Sequence, residues 1–346
     1  MNEIQSVINE RFLLQEEYLG EEKTVNKLSP LVSVTVATYQ QVNFIKDCLD
    51  GILMQQVNFK YEIILGEDGS VDGTQEICKR YAEKYPDKIR LFIRDRSLSQ
   101  HYDSNGEFVT RFNGIWNRMS ARGKYIALCE GDDYWTDPLK LQKQVDFLEA
   151  NPEYSLCSHR YKIYDEEKKT WNAGSGNLLF KKSIDGIEVD TKLNFTRCWL
   201  TQTMTVVYRK EALDTLLLSR YKYTCDAHHF YHILKSGRGY CMNYDAAVYR
   251  QHAGGVYSRT NVTKLYHNYN VYNELYRYNQ DDDILKYKAI QITIYEHLFN
   301  KKYSIALAKD IIFVIRMTFH YAGFKKGIFT LLKIIIALFK LKLVWN

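Results

Sequence analysis

An acidic run directly after a buried-strand pattern is the feature that most restricts the fold of this chain. The segment Tyr125–Cys129 is apolar, and Glu130–Asp133, with the sequence Glu-Gly-Asp-Asp, follows it immediately. The next segment, Tyr134–Pro138, leads into a helical pattern with the proline in its first turn. Because open α/β sheets bind ligands at the carboxyl ends of their strands, this pattern predicts a ligand-binding edge of an α/β sheet.

The spacing of the acids in this run indicates a metal site. Glu130 and Asp132 are two residues apart, so their side chains point to the same side of an extended loop. Carboxylate oxygens suit Mg²⁺ or Mn²⁺, and either ion could be held against a diphosphate. An acidic run after a strand is also typical of a solvated turn or a helix cap. The segments that precede it favour the metal site.

Two earlier segments predict strand–loop–helix units of the same kind. A β-branched strand pattern at residues 31–37 ends in a Thr-Tyr loop, and a second strand pattern, Tyr61–Gly66, ends in the loop Glu67–Thr74. Apolar residues at helical spacing follow each loop. Capping of the next helix explains the serine and the second aspartate of the later loop, but it does not explain the opening Glu-Asp pair.

These segments together resemble glycosyltransferase family 2. Val32–Tyr39 is similar to the first strand of that family, Glu67–Thr74 to its aspartate-rich base-binding loop, and Glu130–Asp133 to its metal-binding triplet. The stretch Ala247–Ser258 also resembles a Tyr-Arg-x-His segment of the family, and the likeness covers about residues 30 to 258. The resemblance implies the Rossmann-like α/β fold called GT-A, here followed by a helical C-terminal extension.

The resemblance also implies roles for individual residues. Thr38, Tyr39 and Asp68 are expected to hold the base and ribose of a nucleotide-sugar donor, and Glu130 is expected to approach the ribose. Asp132 is expected to bind the Mg²⁺ or Mn²⁺ ion that bridges the donor phosphates. Both acidic loops begin with Glu where the family usually has Asp, which adds one methylene of reach.

His252 is a candidate ligand of the same metal. It follows a strand pattern, Ala246–Tyr249, within the segment that resembles the family, and a neutral imidazole can complete the coordination of a metal ion. The alternative is a histidine at a strand end whose ring is hydrogen-bonded to a backbone carbonyl.

Inverting sugar transfer needs a general base that takes the proton of the attacking acceptor hydroxyl. Asp226 opens a helical pattern and resembles the base of the family, although Cys225 replaces the first acid of the usual acidic pair. The alternative is that Asp226 only caps the helix. The nearby histidines, His228, His229 and His232, are interpreted as surface or packing residues of that helix.

The acceptor side is predicted at Trp135 and at Trp199 and Gln202. No residue type there identifies a particular sugar. Resemblance to bacterial enzymes of surface-polysaccharide assembly implies a glycan or a lipid-linked glycan as the acceptor, in the synthesis of capsule or O-antigen.

Composition and patterning predict the organisation of the chain. Residues 1–29 are expected to form an N-terminal helix, 30–258 the catalytic domain, and 259–346 a helical C-terminal region. Trp171–Gly176 is the best candidate for an exposed loop. The seven cysteines have no paired spacing and the N-terminus lacks a signal-peptide pattern, which favours reduced thiols in the cytoplasm.

The positive charge is concentrated in the last part of the chain. Residues 301–346 hold nine Lys or Arg and one acid, a net charge of +8, so the remainder of the +6 chain carries −2. Lys326, Lys333 and Lys340 recur at seven-residue spacing among apolar residues, which predicts an amphipathic helix lying on the anionic inner face of the cell membrane. The alternative is a helix packed on the protein with a basic outer stripe.

Other classes of function are less consistent with the sequence. A sugar nucleotidyltransferase needs a glycine-rich basic loop after the first strand, and residues 38–43 contain no glycine, lysine or arginine. A non-catalytic nucleotide-sugar-binding scaffold at the membrane would lose the metal ligand or the base, whereas Asp132 and Asp226 are both present. Nucleic-acid binding is disfavoured because the basic residues lie in an apolar tail. The sequence therefore predicts a metal-dependent inverting glycosyltransferase.

Overall fold

The structure is a computed structural model of the 346-residue chain. It describes residues 3–102, 105–106, 108–176, 179–182, 185–222, 224–255, 261–299, 305–322, 327–328 and 331. The chain divides into two compact units. The first contains Met1–Asp190 and Leu200–Ala253, and the second contains Thr191–Trp199 and Gly254–Asn346.

The first unit is an α/β structure. Its helices are α1 (Glu3–Phe12), α2 (Ile45–Leu53), α3 (Thr74–Lys84), α4 (Arg96–Ser99), α5 (Asn113–Ser120), α6 (Lys140–Ala150) and α7 (Asp226–Ser236). Its strands are β1 (Val32–Thr38), β2 (Tyr61–Glu67), β3 (Ile89–Ile93), β4 (Gln100–Tyr102), β5 (Phe108–Arg111), β6 (Tyr125–Glu130), β7 (Tyr134–Trp135), β8 (Tyr154–Asp165), β9 (Thr170–Ala173), β10 (Gly186–Val189), β11 (Val207–Arg209) and β12 (Arg238–Gln251).

Within the described residues, ten strands form one mixed sheet, whose main path has the order β10-β12-β8-β11-β6-β1-β2-β3. Strands β6, β1, β2 and β3 are parallel neighbours. Strand β11 is antiparallel to both β6 and β8, and β8 is parallel to β12. Strands β7 and β9 pair with β12 and β8, outside this path.

The parallel half of the sheet is covered on both faces. Strands β1 and β2 are buried along almost their whole length, as is typical of the interior strands of a parallel sheet. Apolar residues of α2, α3 and α6 pack with these strands in one core, whose members include Val34, Ile52, Leu65, Cys78 and Leu148. The sheet is therefore a rigid base for the loops at its carboxyl edge.

Two sequence predictions can be compared directly with the first unit. Helix α1 packs through the fully buried Ile8 against Phe112 and Trp116. In the segment predicted as an exposed loop, Trp171 to Gly176, the first three residues are exposed, Gly174 is buried and the last two are half-buried. The first three belong to β9, which pairs with Lys162–Asp165. The loop prediction was wrong for these residues, because β9 is a short exposed hairpin strand held by backbone hydrogen bonds.

The second unit is helical in its described parts. It contains α8 (Asn261–Tyr278), α9 (Asp283–Phe299) and α10 (Ile305–Ala322). A small core of Tyr287, Ile294, Val314 and Tyr321 holds α9 and α10 together. The helical C-terminal extension predicted from the sequence is therefore confirmed. Within the described ranges, no helix combines the length and the apolar character needed to span a bilayer.

Candidate active site

Three loops meet at one edge of the sheet because three parallel strands end there in register. Thr38 at the end of β1 is paired with Glu67 at the end of β2, and Ala37 is paired with Glu130 at the end of β6. The backbone N–H of Asp68 then donates a hydrogen bond to the carbonyl of Thr38 over 3.1 Å. The register thus brings the acidic loops predicted from the sequence to one place.

The loop after β6 contains a cluster of carboxylates. Glu130, Asp132 and Asp133 can each offer an oxygen so that these atoms lie within 4.8 Å of one another. Asp133 is 1% exposed, and its Oδ1 accepts the backbone N–H of Arg250 over 2.8 Å. Its Oδ2 is buried and has no hydrogen-bond partner among the described residues. A buried carboxylate oxygen without a partner is unfavourable, so the cluster fits a divalent cation.

The carboxylates of this cluster repel one another. Burial raises the pKa of Asp133 well above its ordinary value, and the charges of Asp132 and Glu130 raise it further. Solvent reaches Glu130, yet desolvation by the surrounding protein raises its pKa well above the ordinary value, as do the charges of Asp226 and Asp132. A cation with oxygen ligands would relieve this repulsion.

His252 lies beside the cluster, at the end of β12. Its Nε2 is 3.1 Å from Oδ2 of Asp132, and its ring centroid is 4.5 Å from that of Phe44. In this arrangement Nε2 carries the hydrogen, and its N–H donates a hydrogen bond to the carboxylate of Asp132. A metal ligand would instead need the lone pair of that nitrogen. The role of His252 as a ligand stays a prediction, and its place beside Asp132 is compatible with it.

The first acid of the loop after β2, Glu67, shapes the backbone of that loop. Glu67 is fully buried, and its carboxylate accepts the backbone N–H groups of Gly69 and Ser70. Gln75 donates to the same carboxylate over 3.1 Å. Glu67 therefore holds the turn in place, and this internal role explains the acid that helix capping left unexplained.

The three residues predicted to hold the nucleotide lie together. Asp68 is 2% exposed; it accepts hydrogen bonds from Ser99 Oγ and, over 2.7 Å, from the guanidinium of Arg96. Arg96 also stacks on the ring of Tyr39, 3.3 Å from its centroid. Burial raises the pKa of Asp68, and the Ser99 hydrogen bond and the Arg96 charge oppose that rise. Asp68, Arg96 and Tyr39 thus combine an acceptor, a donor and an aromatic face.

Thr38 fixes the contact between two of the loops. Its Oγ1 donates to Oε1 of Gln41 over 2.8 Å. Gly131 packs directly on these two side chains, and a Cβ at that position would collide with both. The glycine within the acidic run is therefore required for the close approach of the loops after β1 and β6.

Asp226 is the first residue of α7, but it is not the cap of that helix. The N-cap is Cys225, whose backbone N–H donates to Nδ1 of His228 over 3.2 Å. Oδ2 of Asp226 accepts a hydrogen bond from Thr203 Oγ1 over 2.8 Å, and its side chain is 39% exposed. The charge of Asp226 contributes to the raised pKa of Glu130, so the two carboxylates are close enough to interact electrostatically.

Two residues behind Asp226 were not predicted as part of the site. Nδ1 of His229 is 4.0 Å from Oδ1 of Asp226, and the guanidinium of Arg118 lies 3.2 Å from Nε2 of the same ring. Arg96 was missed as well. Its position just after the end of β3 was a signal in the sequence, whereas Arg118 and His229 are 111 residues apart and nothing local connects them.

The residues predicted on the acceptor side are dispersed. Trp135 is 2% exposed, and its indole N–H donates to the carbonyl of Met204 over 2.8 Å. Gln202 immediately precedes Thr203, the partner of Asp226, whereas Trp199 belongs to the second unit. Tyr134, the neighbour of Trp135, instead lines an open cleft of about 570 Å³ that also contains Trp171.

Comparison with known proteins agrees with this geometry. A sequence profile described as "Glycosyltransferase like family 2" matches residues 30–263. "Uncharacterized protein Rv1520" of Mycobacterium tuberculosis is 33% identical over 229 residues, covering 65% of this chain and 60% of that protein's length. A Bacillus subtilis protein named as a teichuronic acid biosynthesis glycosyltransferase, TuaG, is 26% identical over 223 residues, or 64% of this chain and 79% of TuaG.

Solved structures share the fold. Staphylococcus aureus TarS 1–349, in complex with UDP-GlcNAc, has a TM-score of 0.52 at 15% identity, covering 84% of this chain and 81% of that one. The mannosyltransferase PcManGT of Pyrobaculum calidifontis, in complex with GDP-Man and Mn²⁺, has a TM-score of 0.51 at 16% identity, covering 99% and 94%. The GT-A fold is thereby confirmed, and since the profile covers more than half of the residues, the chain belongs to glycosyltransferase family 2.

Proposed function

We propose that this protein is a metal-dependent, inverting glycosyltransferase that moves a sugar from a nucleotide-diphosphate donor to a glycan or lipid-linked glycan. One observation carries the proposal. The carboxylates of Glu130, Asp132 and Asp133 converge at the carboxyl edge of the sheet, one oxygen of Asp133 is buried without a partner among the described residues, and Asp226 interacts electrostatically with Glu130. These features support a metal site near a general base.

The donor side supports a nucleotide. Asp68 can accept an N–H of a base, Arg96 can donate to a carbonyl of the base, and Tyr39 offers an aromatic face beside them. TarS and PcManGT, which have the same fold, are described in complex with UDP-GlcNAc and with GDP-Man and Mn²⁺. A nucleotide-sugar donor and a Mg²⁺ or Mn²⁺ ion held by Asp132 and Asp133, with His252 beside them, are therefore proposed here.

The chemistry assigned to the residues is direct displacement at the anomeric carbon. Asp226, whose Oδ2 accepts the hydroxyl of Thr203, would accept the proton of the acceptor hydroxyl at its carboxylate. Thr38, Tyr39 and Asp68 would orient the nucleotide, and Glu130 would approach its ribose. A divalent cation, when bound, stabilises the charge of the leaving diphosphate.

The acceptor is proposed from the relatives and from the open cleft. TuaG is named as a glycosyltransferase of teichuronic acid biosynthesis. Trp171, 56% exposed, and Tyr134 line the cleft of about 570 Å³ together with polar side chains, which suits the alternating apolar and hydroxylated faces of a sugar chain. Synthesis of capsule, O-antigen or a related surface polymer on the inner face of the membrane is the corresponding biological role.

Donor turnover is the experiment that tests this function. Purified protein is incubated with a panel of UDP-, GDP- and dTDP-sugars in the presence of Mg²⁺ or Mn²⁺, and nucleotide release is measured with and without EDTA. We expect metal-dependent release from a small subset of donors. Metal-dependent binding of a donor without any turnover would instead support a non-catalytic nucleotide-sugar-binding scaffold, and the absence of both would contradict the proposal.

A further inference from the structure

A buried arginine and a histidine form a short chain that ends at Asp226. Arg118 is 9% exposed, and its Nη2 lies 3.2 Å from Nε2 of His229. The other ring nitrogen, Nδ1, lies 4.0 Å from Oδ1 of Asp226. The three side chains come from α5 and α7, so their alignment results from the packing of separate elements.

The chemistry of these groups fixes where the proton of the imidazole lies. A guanidinium only donates hydrogen bonds, so the nitrogen of His229 that faces Arg118 must be the acceptor. Burial lowers the pKa of His229 well below its ordinary value, and the charge of Arg118 lowers it further, so the ring is neutral near pH 7. A neutral imidazole has one N–H, which is then on Nδ1, the nitrogen nearer to Oδ1 of Asp226.

As a general base, Asp226 must be ionised before it can accept a proton. Hydrogen bonds donated to a carboxylate favour its ionised form. Thr203 donates to Oδ2 of Asp226 over 2.8 Å. An N–H from His229 at Oδ1 would add to this support and help to fix the plane of the carboxylate.

We propose that His229, held in its Nδ1–H tautomer by Arg118, is a positioning residue that orients the base Asp226 and keeps it ionised. The inference rests on the proposed function. The separation of 4.0 Å exceeds a direct hydrogen bond, and catalytic hydrogen bonds commonly shorten when substrate is bound. The other two histidines of α7 have different partners, because Nδ1 of His228 accepts the N–H of Cys225 and Nε2 of His232 lies 2.7 Å from the hydroxyl of Tyr221.

The first test reads the tautomer and does not depend on activity. Long-range ¹H–¹⁵N correlation spectra of the full chain, with ¹⁵N-labelled histidine, are assigned by the disappearance of the His229 signals in His229→Gln. We expect a neutral ring with the proton on Nδ1 at pH 7. A ring with the proton on Nε2, or a charged ring, would overturn the inference while leaving the proposed function intact.

The second test replaces His229 by asparagine and by glutamine, because the side-chain amide of each takes the place of one ring nitrogen. Asparagine places its amide near the position of Nδ1, so His229→Asn can still donate to Asp226 but does not reach Arg118. Glutamine places its amide near Nε2, so His229→Gln retains the contact with Arg118 but offers nothing to Asp226. A role in packing alone predicts equal activities, or a more active glutamine variant.

We expect kcat for donor turnover to fall by about 10- to 100-fold in His229→Gln, with KM for the donor within about twofold, and to fall less in His229→Asn. The matched control is His232→Gln on the same helix, which should keep the wild-type kcat. Thermal unfolding shows whether each variant is folded. Equal kcat in both His229 variants would overturn the inference, whereas wild-type turnover by Asp226→Asn would overturn the proposed base itself.

Discussion

Asp132 and Asp133 are adjacent in the chain but have different surroundings. Asp133 is buried and accepts the backbone N–H of Arg250, whereas the side chain of Asp132 is 21% exposed and lies beside His252. The first therefore ties the acidic loop to β12, and the second presents its carboxylate to the open side of the cluster. This difference decides which of the two is the better residue to test.

Asp132→Ala is expected to abolish donor turnover and to weaken Mn²⁺-dependent nucleotide binding strongly, since the cation loses a carboxylate ligand. Thermal stability without metal should stay the same or rise, because a like charge next to Glu130 and Asp133 is removed. Activity assays, calorimetric titration with UDP and Mn²⁺, and thermal unfolding check these outcomes. The control is Asp146→Ala, an exposed aspartate of α6. Wild-type turnover by the Asp132 variant would contradict the metal assignment.

Asp226→Asn separates a catalytic role from a structural one. Asparagine can still accept the hydroxyl of Thr203, but it cannot take a proton from an acceptor hydroxyl. We expect nucleotide affinity and thermal stability to remain near wild type while turnover falls by at least about 100-fold. Unchanged turnover with lower stability would show that Asp226 serves only to anchor the start of α7.

The acidic candidates have a local signal in the sequence, whereas their arginine and histidine neighbours do not. Asp68, Asp132 and Asp226 could be predicted as candidates because each follows a strand or opens a helix, positions that a local pattern reveals. Arg118 and His229 could not, because their relation depends on how α5 and α7 pack. Their role depends on a contact between distant parts of the chain, and no short segment of the sequence predicts that contact.

Strands could be predicted from the sequence where nearly all of their residues are buried. Strands β1, β2 and β6 are almost entirely buried and rich in apolar or β-branched residues, so the carboxyl edge of the sheet could be inferred. Strands β8 and β12 were harder to predict because register shifts interrupt their pairing. Strand β9 has only four residues and is exposed along its length, so it has no buried face that a sequence pattern could reveal.

Helix α6 contains a lysine, Lys140, whose charged form is destabilised by burial. Lys140 is fully buried at the start of the helix; its Nζ donates to Gln144 over 2.7 Å and lies 4.0 Å from the centroid of the Trp135 ring. Burial lowers the pKa of Lys140 from 10.5 to about 7. Between these two values the unfolded chain binds more protons than the folded one, so the free energy of unfolding rises with pH.

Lys140→Met tests this prediction. The shifted pKa of Lys140 should add about 2 kcal/mol to the wild-type free energy of unfolding between pH 7 and pH 9, and the variant should lack this increase. Urea unfolding at pH 6, 7 and 9 measures the difference. Lys143→Met, three residues later on the same helix and paired with Asp137 at the surface, should keep the wild-type pH dependence. Parallel curves for wild type and Lys140→Met would contradict the shifted pKa.

For the molecule as a whole, the association with a membrane stays a prediction from the sequence. Lys326, Lys333 and Lys340 lie outside the described residues. Replacement of all three by Glu should release the protein from vesicles that contain anionic lipid, because each basic residue contributes about 1 kcal/mol near such a surface. Cosedimentation at low and high salt measures this, and turnover of a soluble donor should remain near wild type.

Deletion of residues 325–346 is the stronger control, because it also removes the apolar side chains of the tail. We expect a folded, active protein that no longer binds vesicles. Aggregation of the truncated chain, together with no vesicle binding by the intact chain, would show that this segment completes the protein core, in agreement with the alternative interpretation of the sequence.

The hydrogen bond between the Arg250 N–H and Asp133 has a consequence for biosynthesis. These residues are 117 positions apart, and contacts so distant in sequence form late because a long loop must close first. During translation the acidic loop leaves the ribosome well before β12 is available to hold it. If this loop forms the proposed cation site, a nascent chain is expected to acquire metal affinity there only after β12 has left the ribosome.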